Sequence, residues 1–320
     1  MEYKEALEYI NDKDKFGSRL GLDSIGKLLN LLDNPQRGLN YIHIGGTNGK
    51  GSTASYLANS LKVEGYKVGL FTSPYIERFN ERIQINGEDI PDDVLGRITG
   101  VIREKANVMV EEGFEHPTTF EIITAISFMY FQEEKTDYVI LEVGLGGRFD
   151  STNIIEKPLA SVITTIDYDH TDVLGKTLKE IAYQKAGIIK ENGIVISYPQ
   201  EDEALKVLKE ISKEKNAEFY LCDIKNIKIK SSNSKGAIFD FKYKNITMEN
   251  VEIAMLGEYQ VYNAALALTT LMVLKEKELI SIEEEAIRKG LKSTKWPGRL
   301  EVLGENPIFL IDGAHNVQGA

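Results

Sequence analysis

The chain has 320 residues, 42% of them hydrophobic, which is enough for a packed core and suggests about two domains. A formal net charge of −11 with no basic run excludes a general nucleic-acid binder, because nothing offsets repulsion from a polyphosphate backbone. The charged N-terminus MEYKEALEYINDKDKF has no signal-peptide core, no run approaches the roughly 18 apolar residues of a membrane span, and the single cysteine, Cys222, excludes an intramolecular disulfide. A cytoplasmic protein with no membrane partner is expected.

In chain order, helical patterns lie near Tyr3 to Asn11 and Leu22 to Leu32. The short apolar run Leu39 to Ile44 then leads into Gly45-Gly46-Thr47-Asn48-Gly49-Lys50-Gly51-Ser52 and a helical pattern starting near Lys50. Strand-like runs at Lys67 to Phe71, Tyr138 to Leu141, Ala160 to Ile166 and Ile194 to Ser197 alternate with helical segments. Among these, Thr118 to Glu134 carries an apolar stripe at Ile122, Ile126, Met129 and Tyr130, and Thr177 to Ile189 reads as a further helix. Such alternation predicts an α/β fold, a mostly parallel sheet with helices on both faces.

From Glu218 to Met255 the pattern changes to short alternating segments, including Ile227 to Lys230 and Ala237 to Tyr243, which predict a small appended antiparallel sheet. Helices from about Tyr259 to Lys277 and Ser281 to Leu291 follow. Trp296-Pro297-Gly298-Arg299 breaks the pattern as a linker, so residues 1–295 are expected to form one domain and 296–320 a linker and the first strand of another. Pro307 to Ile311 reads as that strand, and Asp312-Gly313-Ala314-His315-Asn316 as a turn into a helix.

The loop 46–52 predicts phosphate binding. Its glycines let successive backbone N–H groups face an anion, the helix N-terminus adds partial positive charge, Lys50 adds a full one, and Ser52 suits Mg2+. The strict pattern places Ser or Thr directly after the lysine, whereas here Gly51 intervenes, and Ile44 stands where a glycine is usual. The bland alternative is a glycine-rich turn.

In parallel sheets ligands sit at the carboxyl ends of strands. That rule brings Thr72-Ser73-Pro74, Glu142 with the glycine run 144–147, and Asp167 to His170 to the rim of the phosphate loop. Glu142 with Ser73, Thr47 or Ser52 would supply oxygen ligands for Mg2+, with His170 an uncommon imidazole addition. Taken alone, Glu142 also fits a salt bridge, and any single histidine a structural role. His170 and His315 stand out because both lie in turns after strands, beside an Asp or Asn. Lys185 has small apolar neighbours in Ala182, Ala186, Ile188 and Ile189, so burial would lower its pKa and leave a nucleophilic amine.

Together these segments resemble the folylpolyglutamate synthase/dihydrofolate synthase family of the Mur ligase superfamily. The matching stretches are GTNGKGS (46–52), TSPYIERFNERIQING (72–87), TTFE (118–121), LEVGLGGRFDSTN (141–153), DYDHTDVLGKTLKEIAYQKAGIIK (167–190), LGEYQVYNAALAL (256–268), WPGRLE (296–301) and DGAHN (312–316). The resemblance implies a nucleotide-binding domain of the Mur ligase kind and an ATP-dependent ligase of folate biosynthesis and one-carbon metabolism. Such a ligase adds L-glutamate to folate or dihydropteroate through an acyl phosphate. It implies ATP phosphates held by Gly46, Thr47, Asn48, Gly49, Lys50, Gly51 and Ser52, Mg2+ on Ser73, Glu142 and His170, and a carbamate on Lys185. Asn263 would lie near the nucleotide, Arg299 would reach its phosphates, and Asp312 with His315 would complete the site. Phe120, Asp150 and Ser151 fall where the family contacts the pterin. Against the family pattern the chain stops early in a large C-terminal domain, so a truncated ligase is expected, as a monomer, and whether it completes catalysis or only binds ligands stays open.

A Mur-type peptide ligase and a non-catalytic nucleotide-binding fragment remain alternatives. A GTPase-like switch is disfavoured, because no Asn-Lys-x-Asp-like motif lies in a suitable place.

Overall fold

The computed structural model describes residues 1–12, 21–305, 308–314 and 316. Its helices and strands, in order, are α1 Tyr3–Asp12, α2 Asp23–Leu31, β1 Tyr41–Gly45, α3 Lys50–Glu64, β2 Val68–Phe71, β3 Ile83–Ile85, β4 Glu88–Asp89, α4 Asp92–Glu111, α5 Thr119–Glu133 and β5 Tyr138–Glu142. Then come β6 Ala160–Ile163, α6 Thr171–Leu174, α7 Leu178–Lys185, β7 Ile194–Ser197, α8 Asp202–Glu214, β8 Glu218–Leu221, β9 Lys228–Asn233, β10 Gly236–Tyr243, β11 Ile246–Ile253, α9 Glu258–Glu276, α10 Glu284–Ser293, β12 Glu301–Glu305 and β13 Ile308–Ile311.

The main sheet has the order β4-β3-β2-β5-β1-β6-β7-β8. The run from β2 to β8 is parallel, while β3 and β4 add an antiparallel edge. β1 is central and all its residues are buried, as a strand covered on both faces must be. Its alternating side chains divide the core: Ile42 and Ile44 pack with α3 and α9, Tyr41 with the face covered by α1, α2, α4 and α5. A third cluster under α7 and α8 uses Ile163, Val195, Ile181 and Leu208. The antiparallel sheet β9–β11 buries Phe239, Phe241, Met248 and Val251 in the same core as α9. The predicted α/β architecture with a small appended sheet is therefore the observed one. Among the described residues no helix is long and apolar enough to cross a membrane.

Several boundaries move, each for a physical reason. The strand expected over Ala160 to Ile166 stops at Ile163, because the next residues turn to bond the phosphate loop: Thr47 N–H donates to Thr165 O at 2.6 Å and Asp167 N–H to Thr47 Oγ1 at 3.0 Å. Glu218–Leu221, expected in the antiparallel sheet, instead pairs parallel with β7 at the edge of the main sheet. Alternation cannot separate those cases, since either edge strand is half exposed. The helix expected from Thr177 to Ile189 begins at Leu178 with Thr177 as its cap and tightens to a 3-10 turn over Ala186–Ile188. The helix expected at Ser281 to Leu291 begins three residues later and ends two residues later. Four features were not foreseen, α4, α6, α8 and the β3–β4 hairpin, although Asn86-Gly87 between the two strands, both at positive φ, is a hairpin-turn signal. Pro307 and the helix expected after Asn316 lie outside the described residues.

α5 starts at a reciprocal capping box: Glu121 N–H donates to Thr118 Oγ1 at 3.3 Å, and Thr118 N–H to Glu121 Oε2 at 2.7 Å. Thr118→Ala is expected to destabilise the fold by about 1 kcal/mol in urea unfolding, with the slope of the transition unchanged.

Candidate active site at the carboxyl rim of the sheet

A cleft of about 950 Å3 opens along the carboxyl ends of β1, β2, β5 and β6. Its floor is the phosphate loop. Gly49 takes φ 83 just before α3, and a Cβ there would lie 2.4 Å from Asn263 Oδ1, so the loop and α9 meet where only glycine fits. Lys50 opens α3 and donates from Nζ to Thr47 O at 3.1 Å and Gly46 O at 3.3 Å, curling over the loop. Ser52 is buried and its Oγ accepts from Gln260 Nε2 at 3.2 Å. Asn48, at the tip, exchanges hydrogen bonds with Asn316 at 3.0 and 3.1 Å.

Glu142 ends β5 with its carboxylate buried 4.0 Å from Lys50 Nζ, and accepts from Ser73 N–H at 3.3 Å. Burial pushes its pKa up to about 6, while Lys50, the Ser73 N–H and Arg299 pull the other way. Lys185, at the end of α7, is buried and donates from Nζ to Gly46 O at 2.8 Å. Burial, then the charge of Lys50, lowers its pKa to about 7, with Asp169 opposing. The apolar setting read from the sequence is thus realised, and the amine touches the phosphate loop itself. His170 sits at φ 47 with its side chain more than half exposed, Nε2 3.8 Å from Asp169 Oδ1, on the wall of the same cleft.

Ser73, Asn263, Arg299, Asp312, Phe120, Asp150 and Ser151 also line the cleft. Asp312 faces it while accepting from Leu300 N–H at 2.9 Å and Ala314 N–H at 2.7 Å, so it shapes the turn that follows β13. His315 lies outside the described residues. Phe120 packs against Gly144 at the start of the 144–147 loop, where a Cβ on that glycine would come 2.5 Å from the ring. Asp150 is also bonded within the protein: Oδ2 accepts from Leu145 N–H at 2.8 Å, and Oδ1 from Thr152 N–H at 3.0 Å and from Thr152 Oγ1. Both oxygens therefore hold the loop that Phe120 covers.

Behind Thr152 lies a residue that sequence reasoning passed over. His43, fully buried in β1, has Nε2 2.9 Å from Thr152 Oγ1. Thr152 spends its one hydroxyl proton on Asp150, so His43 Nε2 must carry the hydrogen and donate. Nδ1 has no hydrogen-bond partner. Also unassigned were Gln260, Tyr259, Tyr262, Arg82 and Asp169, which line the cleft or hold its loops. The segments carrying them were singled out, but nothing in the local pattern says which way each side chain points.

Among the described residues no three His, Cys, Asp or Glu cluster as a metal cage. Mg2+ does not need one: it binds through one or two carboxylates plus substrate phosphates and water. A lone buried carboxylate beside a phosphate loop, as in Glu142, fits that requirement.

Residues 44–271 match the Mur ligase middle domain. Dihydrofolate synthase/folylpolyglutamate synthase of Bacillus subtilis is 40% identical over 99% of this chain and 74% of its own length. The chain belongs to the folylpolyglutamate synthase/dihydrofolate synthase family of Mur ligases. Among solved structures, folylpolyglutamate synthase of Thermotoga maritima superposes with a TM-score of 0.89 at 39% identity, covering 99% of this ligase and 72% of that chain. An FPGS–AMPPCP–folate complex superposes with a TM-score of 0.92 at 36% identity, covering 100% of this ligase and 78% of that chain.

Burial holds the His43 pKa down to about 3, with the charge of Lys190 adding to the effect. The unfolded group titrates near 6.5, so the contribution to stability is complete above that pH and is lost as pH falls toward 3. Between pH 7 and pH 4.5 the ligase is expected to lose about 2 to 3 kcal/mol from this residue alone. His43→Gln, which keeps a donor to Thr152 but cannot titrate, should lack that component in unfolding curves taken across the range.

Proposed function

We propose that this chain ligates L-glutamate to a folate or dihydropteroate carboxylate at the expense of ATP. The observation that carries the reading is the convergence, in one cleft, of a phosphate loop, a buried carboxylate with raised pKa, a buried amine with lowered pKa, and an aromatic wall at Phe120. A carboxylate is a poor acyl donor at neutral pH. In the first step a carboxylate oxygen of the folate attacks the γ-phosphorus of ATP, ADP leaves, and an acyl phosphate forms. In the second the neutral amine of glutamate attacks the acyl carbon, inorganic phosphate leaves with the bonding pair, and the amine proton is lost.

Each residue has a part in that sequence. Backbone N–H groups of 46–52 and the α3 N-terminus bind the phosphates, Lys50 and Arg299 stabilise their charge, and Asn263 fixes the nucleotide side of the loop. Ser73, Glu142 and His170 would hold Mg2+, which when bound neutralises phosphate charge and orients the γ-phosphoryl group. Phe120 and Ser151 would receive the pterin, on a loop that Asp150 keeps rigid. Asp312 and His315 would close the site from the segment beyond the linker at 296–299, which shields the acyl phosphate from water. The proposal places the reaction in the cytoplasm, with the ligase acting as a monomer. It is tested by glutamate-dependent ADP release with dihydropteroate and with a reduced folate as acceptors; no glutamate dependence with either would overturn it.

Lys50→Ala is expected to weaken Mg-ATP binding about tenfold to a hundredfold by calorimetry, since a charge-assisted contact contributes about 1.5 to 3 kcal/mol. The fold should be unaffected.

The neutral Lys185 amine is placed to add to carbon dioxide, forming an N–C bond and releasing one proton to give a carbamate. The product turns a buried amine into an anion with two oxygens, able to help orient the γ-phosphate. Lys185→Ala should lose ligase activity, and short carboxylic acids added to the assay should restore part of it; a purely structural lysine would show no such rescue.

A further inference from the structure

Gly51, the residue inserted between Lys50 and Ser52, has a neighbour that explains it. A Cβ on Gly51 would lie 2.9 Å from Nε1 of the Trp296 indole and 3.2 Å from its Cε2 and Cζ2. Gly51 lies in the first turn of α3 without a positive φ, so its backbone would accept an alanine and only the indole forbids one. Trp296 is the one tryptophan of the chain and is half-buried.

The segment leading to Trp296 is fastened to the same helix. Ser55 Oγ donates to Lys295 O at 3.3 Å, and Asn59 Nδ2 donates to Gly290 O at 2.8 Å and Thr294 Oγ1 at 3.2 Å. Just past the indole, Gly298 turns at φ 69, its N–H donating to Glu301 Oε2 at 2.8 Å, and Arg299 enters the cleft. The guanidinium thus hangs on a short tether whose near end is an aromatic plane lying on the phosphate-loop helix. Arg299 stands only three residues past the indole, and a displacement of about 1 Å at the guanidinium is enough to spoil a phosphate contact.

We propose that Trp296 is a positioning residue for Arg299: its indole, seated on the bare Cα of Gly51 at the N-terminus of α3, ties the segment carrying Arg299 to the phosphate loop. The glycine at 51 is the space that the indole occupies. This inference rests on phosphate binding at 46–52, but the contact itself can be tested without any nucleotide.

The experiment compares the full chain with Gly51→Ala, Trp296→Ala, the double variant, Trp296→Phe and Arg299→Ala. Thermal unfolding without ligand, the emission of the single tryptophan and Mg-ATP affinity by calorimetry are the readouts. Gly51→Ala alone should lower Tm, shift the Trp296 emission to longer wavelength and weaken Mg-ATP about tenfold. In the Trp296→Ala background the same substitution should leave Tm unchanged or raise it, because alanine favours helix over glycine once the steric conflict is gone. Trp296→Ala should weaken Mg-ATP to the same degree as Arg299→Ala, and Trp296→Phe, whose flat ring still covers Gly51, should keep most of the affinity. An equal loss of Tm from Gly51→Ala in both backgrounds would overturn the contact. Unchanged Mg-ATP affinity in Trp296→Ala, with Arg299→Ala impaired, would overturn the positioning role. Unchanged affinity in both would also overturn it and would lay the fault on the nucleotide reading, provided the unfolding results hold.

Discussion

The rest of the site depends on the N-terminus of α3 being presented at the carboxyl end of the central strand. β1 is flanked in parallel by β5 and β6, so the ends of all three strands open on one rim. Unsatisfied N–H groups of the first helical turn, with the partial charge of the helix, therefore face the space into which Glu142 and the 164–170 segment also emerge. The loop cannot relax away from this arrangement. Its backbone is bonded to Thr165 on one side, and Asn263 of α9 closes the other within the space of a missing Cβ.

Electrostatics follows from that crowding. The chain is acidic overall, with a formal net charge of −11, yet Lys50, Lys185, Arg82 and Arg299 converge on the one cleft. Burial acts on both signs of charge there: it raises the Glu142 carboxyl and lowers the Lys185 amine, each toward neutrality near physiological pH. The His43–Thr152–Asp150 chain serves a different purpose, carrying fixed hydrogen bonds from the middle of the sheet to the loop under Phe120. It is a structural support beneath that loop.

Much of this was legible in order of residues. The glycine-rich stretch between an apolar run and a helical pattern located the loop that leads into α3 and floors the cleft, and the small neighbours of Lys185 announced its burial. Strand-end position marked Glu142. The errors were of a different kind. Glu218–Leu221 was placed in the wrong sheet, since alternation is the same at either sheet edge. His43 and Gln260 were missed because a histidine inside a strand and a glutamine inside a helix carry no local mark of what they face.

Sequence alone determined the elements and the chemistry available to them: periodicity sets which residues share a face, and glycine placement sets where backbone can turn or meet an anion. Those are properties of neighbours along the chain. Tertiary structure alone decided which oxygen is spent on the protein itself, that Lys185 reaches Gly46, and that an indole 245 positions later stands where Gly51 lacks a side chain. These depend on close packing between segments remote in sequence, where a few tenths of an ångström separate a contact from a clash, and no local pattern encodes such distances.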